Sequence, residues 1–378
     1  MEAEQILERL IQTDSVFGNE EKIGRYLESL LVKMGFKTQR QHIAEGRFNI
    51  FAERAGEGSP ILFYGHMDTV VPHGRWKHGP LNMAREGDRM YGLGACDMKG
   101  GISAMLSAVS NCRPRGVKVL LCADEENISQ GAWAAIRKKE WFKDISLIVS
   151  CEAGDSKKHT GGANIVTVGR RGRVVIEADV YGLSAHGANP QRGVNAINEA
   201  SKIVQNTDLF KLRIHRNLGS ETIFVRCMEG KSKSALDLPD RAHLEFDIQL
   251  VPPSSIKDAK YRVESMVKSM KARKILDSRT EVTVAVKKRP TPYIEPYENS
   301  TKNAKIKAVL SVIRKNLGEP VINYGSSVAD DNIFANALDI PIVTIGPEGG
   351  NEHAPNEWVS RRSLEDLEKV YCKLIGSF

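Results

Sequence analysis

Short apolar runs alternate with segments of helical spacing along the first part of the chain, and this alternation constrains the fold more than any other feature. The runs at 60–68, 117–124 and 145–155 are rich in Ile, Leu and Val and nearly continuous, as in strands that are buried on both faces. The segments at 102–110 and 129–141 separate these runs and have the spacing of helices. Strands that alternate with helices predict an α/β fold with a mostly parallel sheet.

The pattern changes near residue 165. Residues 167–286 contain predicted strands and helices in the order β-α-β-β-α-β, which is typical of a small α+β domain of ferredoxin-like type. From residue 287 the alternation of single strands and helices returns. We therefore predict a discontinuous main domain, 1–166 with 287–378, and an inserted domain at 167–286.

Composition and charge exclude several classes of protein. Hydrophobic residues make up 41% and charged residues 27%, which indicates an ordinary globular protein. The net charge of +7 is spread over short basic groups without the interleaved aromatic residues that nucleic-acid binders use for stacking, so no nucleic-acid partner is expected. No signal peptide or membrane-spanning run is recognised, which predicts a cytoplasmic protein without a membrane partner. The six cysteines have no paired spacing, and we expect reduced thiols.

Histidines and carboxylates follow the apolar runs of the main domain. They are His66 and Asp68, Glu125 and Glu126, Glu152, and His353, and a glycine-rich turn at 92–101 adds Asp97. Taken one at a time, these residue types are also the ordinary residues of turns and helix starts. In open α/β sheets, however, functional groups collect at the carboxyl ends of the strands, so we expect this set to meet at one edge.

The set is typical of a hydrolytic zinc or cobalt site. Imidazole and carboxylate are both acceptable ligands for these metals, and no thiolate is needed. The number of candidate ligands suits two metal ions, which together can activate water and polarise a carbonyl. Asp68 lies two residues beyond His66 on the same strand face, so it can orient that imidazole. Glu125 is then free to act as a general base.

The order of the motifs resembles that of a known family. The segments "GHMDTV", "GACDMKGG", "ADEE", "CEAGD" and "EHAPNE", with a domain inserted after the fourth, are similar to the M20 family of metallopeptidases and amidohydrolases. The resemblance covers nearly the whole chain. It implies hydrolysis of an amide bond, two divalent metal ions per chain, and an inserted domain that serves for dimerisation and as a lid.

The resemblance also implies a role for each residue. His66 and Glu152 would bind the first metal, Glu126 and His353 would bind the second, and Asp97 would bridge both. Asp68 would orient His66, and Glu125 would activate the attacking water and protonate the leaving nitrogen. The segment "GLSAHGANPQRG" is similar to a family motif in the inserted domain, which implies that His186 reaches the active site of a partner subunit across a homodimer and steadies the oxyanion. His73, His78 and His159 match no ligand position and are expected to be surface histidines.

Three positions depart from the family pattern. Leu236 stands where an asparagine is common, and Gln249 and Ile333 stand where several deacylases carry arginine. Glutamine cannot supply the charged, bidentate contact to a substrate carboxylate that arginine makes. The main functional hypothesis is an amidohydrolase of N-acyl amino acids, of the deacetylase or desuccinylase type. The alternatives are a di- or tripeptidase or a carboxypeptidase of the same family, and a binding protein that keeps the fold without catalysis.

Overall fold

Two compact units make up the chain. The computed structural model describes residues 2–112, 115–154 and 161–378. One unit is formed by Met1–Arg170 with Glu298–Phe378, and the other by Arg171–Tyr297. The sequence pattern puts the boundaries at 166/167 and 286/287, so the observed inserted unit begins and ends further along the chain. The difference at the first boundary arises because the strand from Ile165 to Arg170 belongs to the sheet of the main unit.

The first part of the main unit contains four helices and eight strands within its described residues. They are α1 (Ala3–Ile11), α2 (Glu21–Lys33), β1 (Lys37–Ala44), β2 (Arg47–Arg54), β3 (Glu57–His66), β4 (Ala84–Glu86), β5 (Arg89–Tyr91), α3 (Gly100–Asn111), β6 (Arg115–Cys122), α4 (Gln130–Ala135), β7 (Leu147–Ser150) and β8 (Ile165–Arg170). The helix predicted at 102–110 is confirmed as α3. The helix predicted at 129–141 is shorter, because α4 ends at Ala135 and a separate 3₁₀ turn follows at Lys139–Phe142.

The inserted unit and the returning part of the main unit follow in chain order. The inserted unit contains β9 (Gly172–Tyr181), α5 (Ala196–Gln205), β10 (Ile214–His215), β11 (Gly219–Ser220), β12 (Thr222–Gly230), β13 (Arg241–Leu250), α6 (Ile256–Ala272) and β14 (Glu281–Val286). The chain then forms β15 (Tyr297–Glu298), α7 (Ala304–Leu317), β16 (Val321–Gly325), α8 (Asp330–Ala337), β17 (Ile342–Thr344), β18 (Gly349–Gly350), β19 (Trp358–Ser360) and α9 (Arg361–Ile375). Among the helices of the described ranges, none combines the length and the apolar composition that a membrane span requires.

The large sheet of the main unit confirms the predicted α/β class. Its strands lie in the order β1-β2-β6-β3-β7-β17-β8-β15, and β16 pairs with β8. At the centre, β3 pairs in parallel with both β6 and β7, and β17 pairs in parallel with β7. Antiparallel pairs of β1 with β2 and of β2 with β6 close one edge. A second, small sheet has the order β18-β19-β5-β4.

The inserted unit has the predicted β-α-β-β-α-β order, with the short β10–β11 hairpin added. Its antiparallel sheet has the strand order β12-β13-β9-β14. Ile176, Phe246 and Val263 belong to its apolar core, where alternate strand residues pack with the helices. The side chain of Asn195 accepts hydrogen bonds from the first turn of α5, which fixes where that helix begins.

A disulfide joins two helices of the main unit, and this corrects the expectation of reduced thiols. Cys112 follows α3, Cys372 lies in α9, and their Cα atoms are 5.6 Å apart. The two residues are 260 positions apart in the sequence, so no local spacing could reveal the pair. The other four cysteines, at 96, 122, 151 and 227, are free thiols.

Candidate metal centre

Three neighbouring parallel strands deliver three of the expected ligands to one edge of the large sheet. His66 is the last residue of β3. Glu126 follows the end of β6 and Glu152 follows the end of β7, and both strands pair with β3. Because parallel strands end on the same side, the three side chains start from adjacent positions.

The small sheet brings the other two expected ligands together. Asp97 lies in the turn after β5, and His353 lies in the loop between β18 and β19. Since β5 pairs with β19, the turn and the loop are neighbours in space. Gly101, at the start of α3, packs so closely on the carbonyl of Cys151 that a Cβ atom there would lie 1.8 Å from its oxygen. This position therefore requires glycine, and the close approach sets the Asp97 turn beside the strand end that carries Glu152.

The Asp97 carboxylate lies between the two histidines. Its Oδ1 is 2.9 Å from Nε2 of His66, and its Oδ2 is 3.2 Å from Nε2 of His353. Nε2 of His353 is also 3.0 Å from Oε2 of Glu126. Ligand atoms of His66, Asp97 and Glu126 all lie within 4.8 Å of one another, which is close enough to hold one metal ion.

The two oxygens of the Glu152 carboxylate differ in their contacts. Its Oε1 accepts a hydrogen bond from Nη2 of Arg170 at 3.2 Å. Its Oε2 is buried and has no hydrogen-bond partner among the described residues. Burial raises the pKa of Glu152 to about 8. A buried carboxylate oxygen without a partner is costly, and a metal ion would satisfy it.

The electrostatics of the cluster also fit divalent cations. Hydrogen bonds to Asp97 and Glu126 raise the pKa of His353 to about 11. Burial pushes the pKa of Asp97 up, but hydrogen bonds from His353 and His66 push it down by more, so that it lies below its ordinary value. The carboxylates thus draw positive charge onto both imidazoles. Metal ions bound by oxygen and nitrogen ligands would supply that charge instead.

Asp68 contacts His66 differently from the expectation. Nδ1 of His66 is 3.0 Å from the main-chain oxygen of Asp68, whereas it is 3.8 Å from the carboxylate Oδ1. The carboxylate instead accepts hydrogen bonds from the amides of Glu125 and Glu126, at 3.2 and 2.9 Å. Asp68 therefore orients the imidazole through its main chain and fixes the Glu125–Glu126 turn through its side chain.

The turn that carries Glu125 is held by Arg47, which no sequence pattern indicates as part of the site. Asp124 has a left-handed backbone, with φ of 74°, and its Oδ1 lies 2.6 Å from Nη2 of Arg47. The same Nη2 is 2.6 Å from Oε1 of Glu20. Burial raises the pKa of Glu125 well above its ordinary value, and the nearby charge of His66 opposes the shift. Glu125 is a half-buried carboxyl group beside the expected ligand Glu126 and is not itself needed as a ligand, so it is a candidate base.

Arg170 is a buried residue in the basic segment 169–173. The side chain of Arg170 is completely buried, and its Nε lies 3.2 Å from Oδ2 of Asp331. It pairs with Asp331 and Glu152 because a buried guanidinium requires carboxylate partners. Arg170 therefore holds Oε1 of Glu152 in place, and Oε2 is the oxygen left for a metal ion.

His186, His73, His78 and His159 are not among the expected ligands. His186 is an exposed residue of the inserted unit, where its Nδ1 accepts the amide of Ala188 at 3.1 Å. His73 is exposed, and Nε2 of His78 is 2.9 Å from Glu86 at the surface. His159 lies outside the described residues.

The three positions that depart from the family pattern have different environments. Leu236 is 64% exposed in the inserted unit. Gln249 lies in β13 of the same unit, and its side-chain oxygen is buried without a hydrogen-bond partner among the described residues. Ile333 is buried in α8, with 2% of its surface exposed. None of the three supplies a positive charge.

Fold and site together are those of an α/β protein with a candidate metal centre, as in metal-dependent hydrolases. The sequence model of peptidase family M20/M25/M40 matches residues 62–377. The chain therefore belongs to this family, whose members hydrolyse amide or peptide bonds.

The proteins that this chain resembles include a desuccinylase and peptidases. The chain is 27% identical over 363 residues to succinyl-diaminopimelate desuccinylase 1 of Alteromonas mediterranea, covering 93% of this chain and 90% of the relative. The structure of a tripeptidase from Staphylococcus aureus superposes with a TM-score of 0.79 at 22% identity, covering 99% of this chain and 96% of that chain. A dinuclear metal-binding peptidase of the M20 family from Bacillus subtilis gives a TM-score of 0.73 at 12% identity, covering 99% and 96%.

Proposed function

We propose that the protein hydrolyses the amide bond of an N-acyl amino acid, as deacetylases and desuccinylases do, with two divalent metal ions. The observation that carries this proposal is the Asp97 carboxylate, whose two oxygens face His66 on one side and His353 on the other. With Glu126 and Oε2 of Glu152, five residues are available to two ions. Zinc is the expected metal and cobalt the alternative, because both accept nitrogen and carboxylate oxygen ligands.

Glu125 and Asp68 have different roles in the proposed reaction. Bound divalent ions would supply Lewis-acid polarisation of the scissile carbonyl and would lower the pKa of the attacking water. Glu125 accepts the proton of that water and passes it to the leaving nitrogen. Asp68 holds the amides of Glu125 and Glu126, so the base and a ligand keep a fixed relation to each other.

The similarity to the desuccinylase extends over most of both sequences, which favours an acylated amino acid as substrate. A di- or tripeptidase or a carboxypeptidase is the second candidate. The uncharged residues at Gln249 and Ile333 favour it, because they remove two arginines that can bind a substrate carboxylate.

A substrate panel separates the two candidates. With zinc- or cobalt-loaded protein, we expect kcat/KM for N-succinyl-diaminopimelate or N-acetylornithine to exceed that for di- and tripeptides by about 10²-fold. The measurement is release of the free amine under identical metal loading. Turnover of the peptides alone would contradict the deacylase proposal and leave the peptidase in its place.

We also propose that the inserted unit forms a homodimer and that His186 acts in the partner's active site. Because Nδ1 of His186 accepts an amide hydrogen, the proton of the neutral ring lies on Nε2. The exposed Nε2–H is then a donor for an oxyanion.

Replacing His186 with alanine is expected to lower kcat by about 10²–10³-fold, as removal of one oxyanion donor does. Light scattering should show a dimer for both the wild type and the variant. His42→Ala, at an exposed histidine of β1, is the matched control and should keep full activity. A fully active monomer would exclude this role for His186.

A further inference from the structure

The side chain of Glu357 binds the turn that carries Asp97. Its Oε1 accepts the amide hydrogens of Cys96 and Asp97 at 2.8 and 3.0 Å, and its Oε2 accepts that of Gly94 at 2.7 Å. Glu357 itself is 2% exposed. One buried carboxylate therefore satisfies three amide donors of a single turn.

The conformation of the turn explains why it needs such an acceptor. Gly94 has a left-handed backbone with φ of 75°, and Asp97 has φ of −117° and ψ of 94°, which is not helical. Amides at the start of a helix have no main-chain acceptor in the preceding turn, and unpaired buried amides are costly. Converging amide donors of this kind form a cavity for an anion, and here the anion is a side chain of the same protein.

A buried cation lies close to this carboxylate. The side chain of Lys99 is 1% exposed, and its Nζ donates to the main-chain oxygen of Thr13 at 3.2 Å. Lys99 interacts electrostatically with Glu357. The lysine helps to offset the cost of burying the negative charge of Glu357.

Glu357 also links Asp97 to the loop of His353. It lies four residues after His353, immediately before β19, and its main-chain oxygen accepts the amide of Gly92 at 3.0 Å. The same loop thus presents one expected ligand and holds the main chain of another. A shift of the Asp97 turn would move both carboxylate oxygens relative to His66 and His353.

We propose that Glu357 is a positioning residue that fixes Asp97 for metal binding without being a ligand itself. This inference rests on the proposed two-metal site. All its hydrogen bonds to the turn are to main-chain amides, so it acts on the geometry of the ligand set and not on the substrate.

Replacing Glu357 with glutamine tests the inference, since glutamine keeps the size but turns an NH₂ group toward at least one of the three amides. We expect the affinity for Zn²⁺, measured by competition with a chromophoric chelator, to fall about 10–100-fold, as loss of a residue that supports a metal ligand does. The visible absorption spectrum of the Co²⁺-loaded variant should also differ from that of the wild type. Circular dichroism of the metal-free proteins should show the same fold.

Glu221→Gln is the matched control. Glu221 is a buried carboxylate of the inserted unit that accepts the amide of Arg213 at 2.9 Å and pairs with Arg262. Its replacement should lower stability but leave Zn²⁺ affinity and the Co²⁺ spectrum unchanged. Wild-type affinity and an unchanged spectrum in Glu357→Gln would overturn the inference, whereas failure of the wild type to bind Zn²⁺ would overturn the two-metal proposal itself.

If the Glu357→Gln variant does not fold, the inference can be tested on the wild type. Hydrogen exchange at the amides of Gly94, Cys96 and Asp97 should be slow in the metal-free protein, because Glu357 accepts all three. Exchange at these amides as fast as in an exposed loop would exclude the role of Glu357.

Discussion

Glu125→Gln is expected to lower kcat for amide hydrolysis by about 10²–10⁴-fold, the range for loss of a general base. Glutamine has nearly the same shape as glutamate but cannot accept a proton at neutral pH. The main-chain amide of Glu125, which donates to Asp68, is unchanged by the substitution. The variant should therefore bind metal and substrate normally and fail in proton transfer.

The neighbouring residue provides the control for this experiment. Glu126→Gln removes an expected ligand, since Oε2 of Glu126 lies beside Nε2 of His353. It should lose metal as well as activity, whereas Glu125→Gln should keep the metal content of the wild type, which we expect to be two ions per chain. Metal content by elemental analysis and kcat from steady-state kinetics distinguish the two. Metal loss from Glu125→Gln would show that Glu125 is a ligand and not the base.

Cys112→Ser is expected to lower the free energy of unfolding by about 2–4 kcal/mol, because it releases the cross-link between α3 and α9. The disulfide closes a loop of 260 residues, so its effect on the entropy of the unfolded chain is large. Unfolding in denaturant, with and without a reductant, measures the difference. The reductant should destabilise the wild type and leave the variant unchanged.

Two further measurements make this result specific. Cys227→Ser, at a free thiol of the inserted unit, should not change stability. Thiol titration of the denatured, unreduced wild type should give four groups per chain, because two of the six cysteines are paired. Six reactive thiols would contradict the disulfide.

The disulfide also bears on the predicted cytoplasmic location. Disulfides persist in oxidising compartments and in intracellular proteins of hyperthermophiles, so the location stays a prediction.

The parts of the fold that depend on local pattern could be predicted from the sequence. Buried parallel strands are continuous apolar runs, so β3, β6 and β7 can be predicted from the sequence. The polar residues that follow these strands are then candidate ligands. The inserted unit can be predicted because the pattern of apolar residues changes near residue 165. The small sheet that includes β18 and β19 was not predicted, because its strands are only two or three residues long and have no periodicity.

Contacts between distant positions could not be predicted in the same way. Glu357 meets Cys96 across 261 positions, and Arg170 meets Asp331 across 161. Neither pair has a spacing that indicates contact. Asp68 is an intermediate case. Its position two residues after His66 indicates a contact with that histidine, but it does not reveal that the main chain and the side chain of Asp68 have separate partners.

The attachment of the inserted unit has a consequence for how proteins of this architecture diversify. The chain leaves the large sheet at Arg170, the end of β8, and returns through β15, which lies next to β8. An insertion whose two ends sit on adjacent strands perturbs its host little, so it can lengthen, shrink or be exchanged while the strands that carry the ligands keep their order. The inserted unit can then change while the unit that carries the candidate ligands is retained.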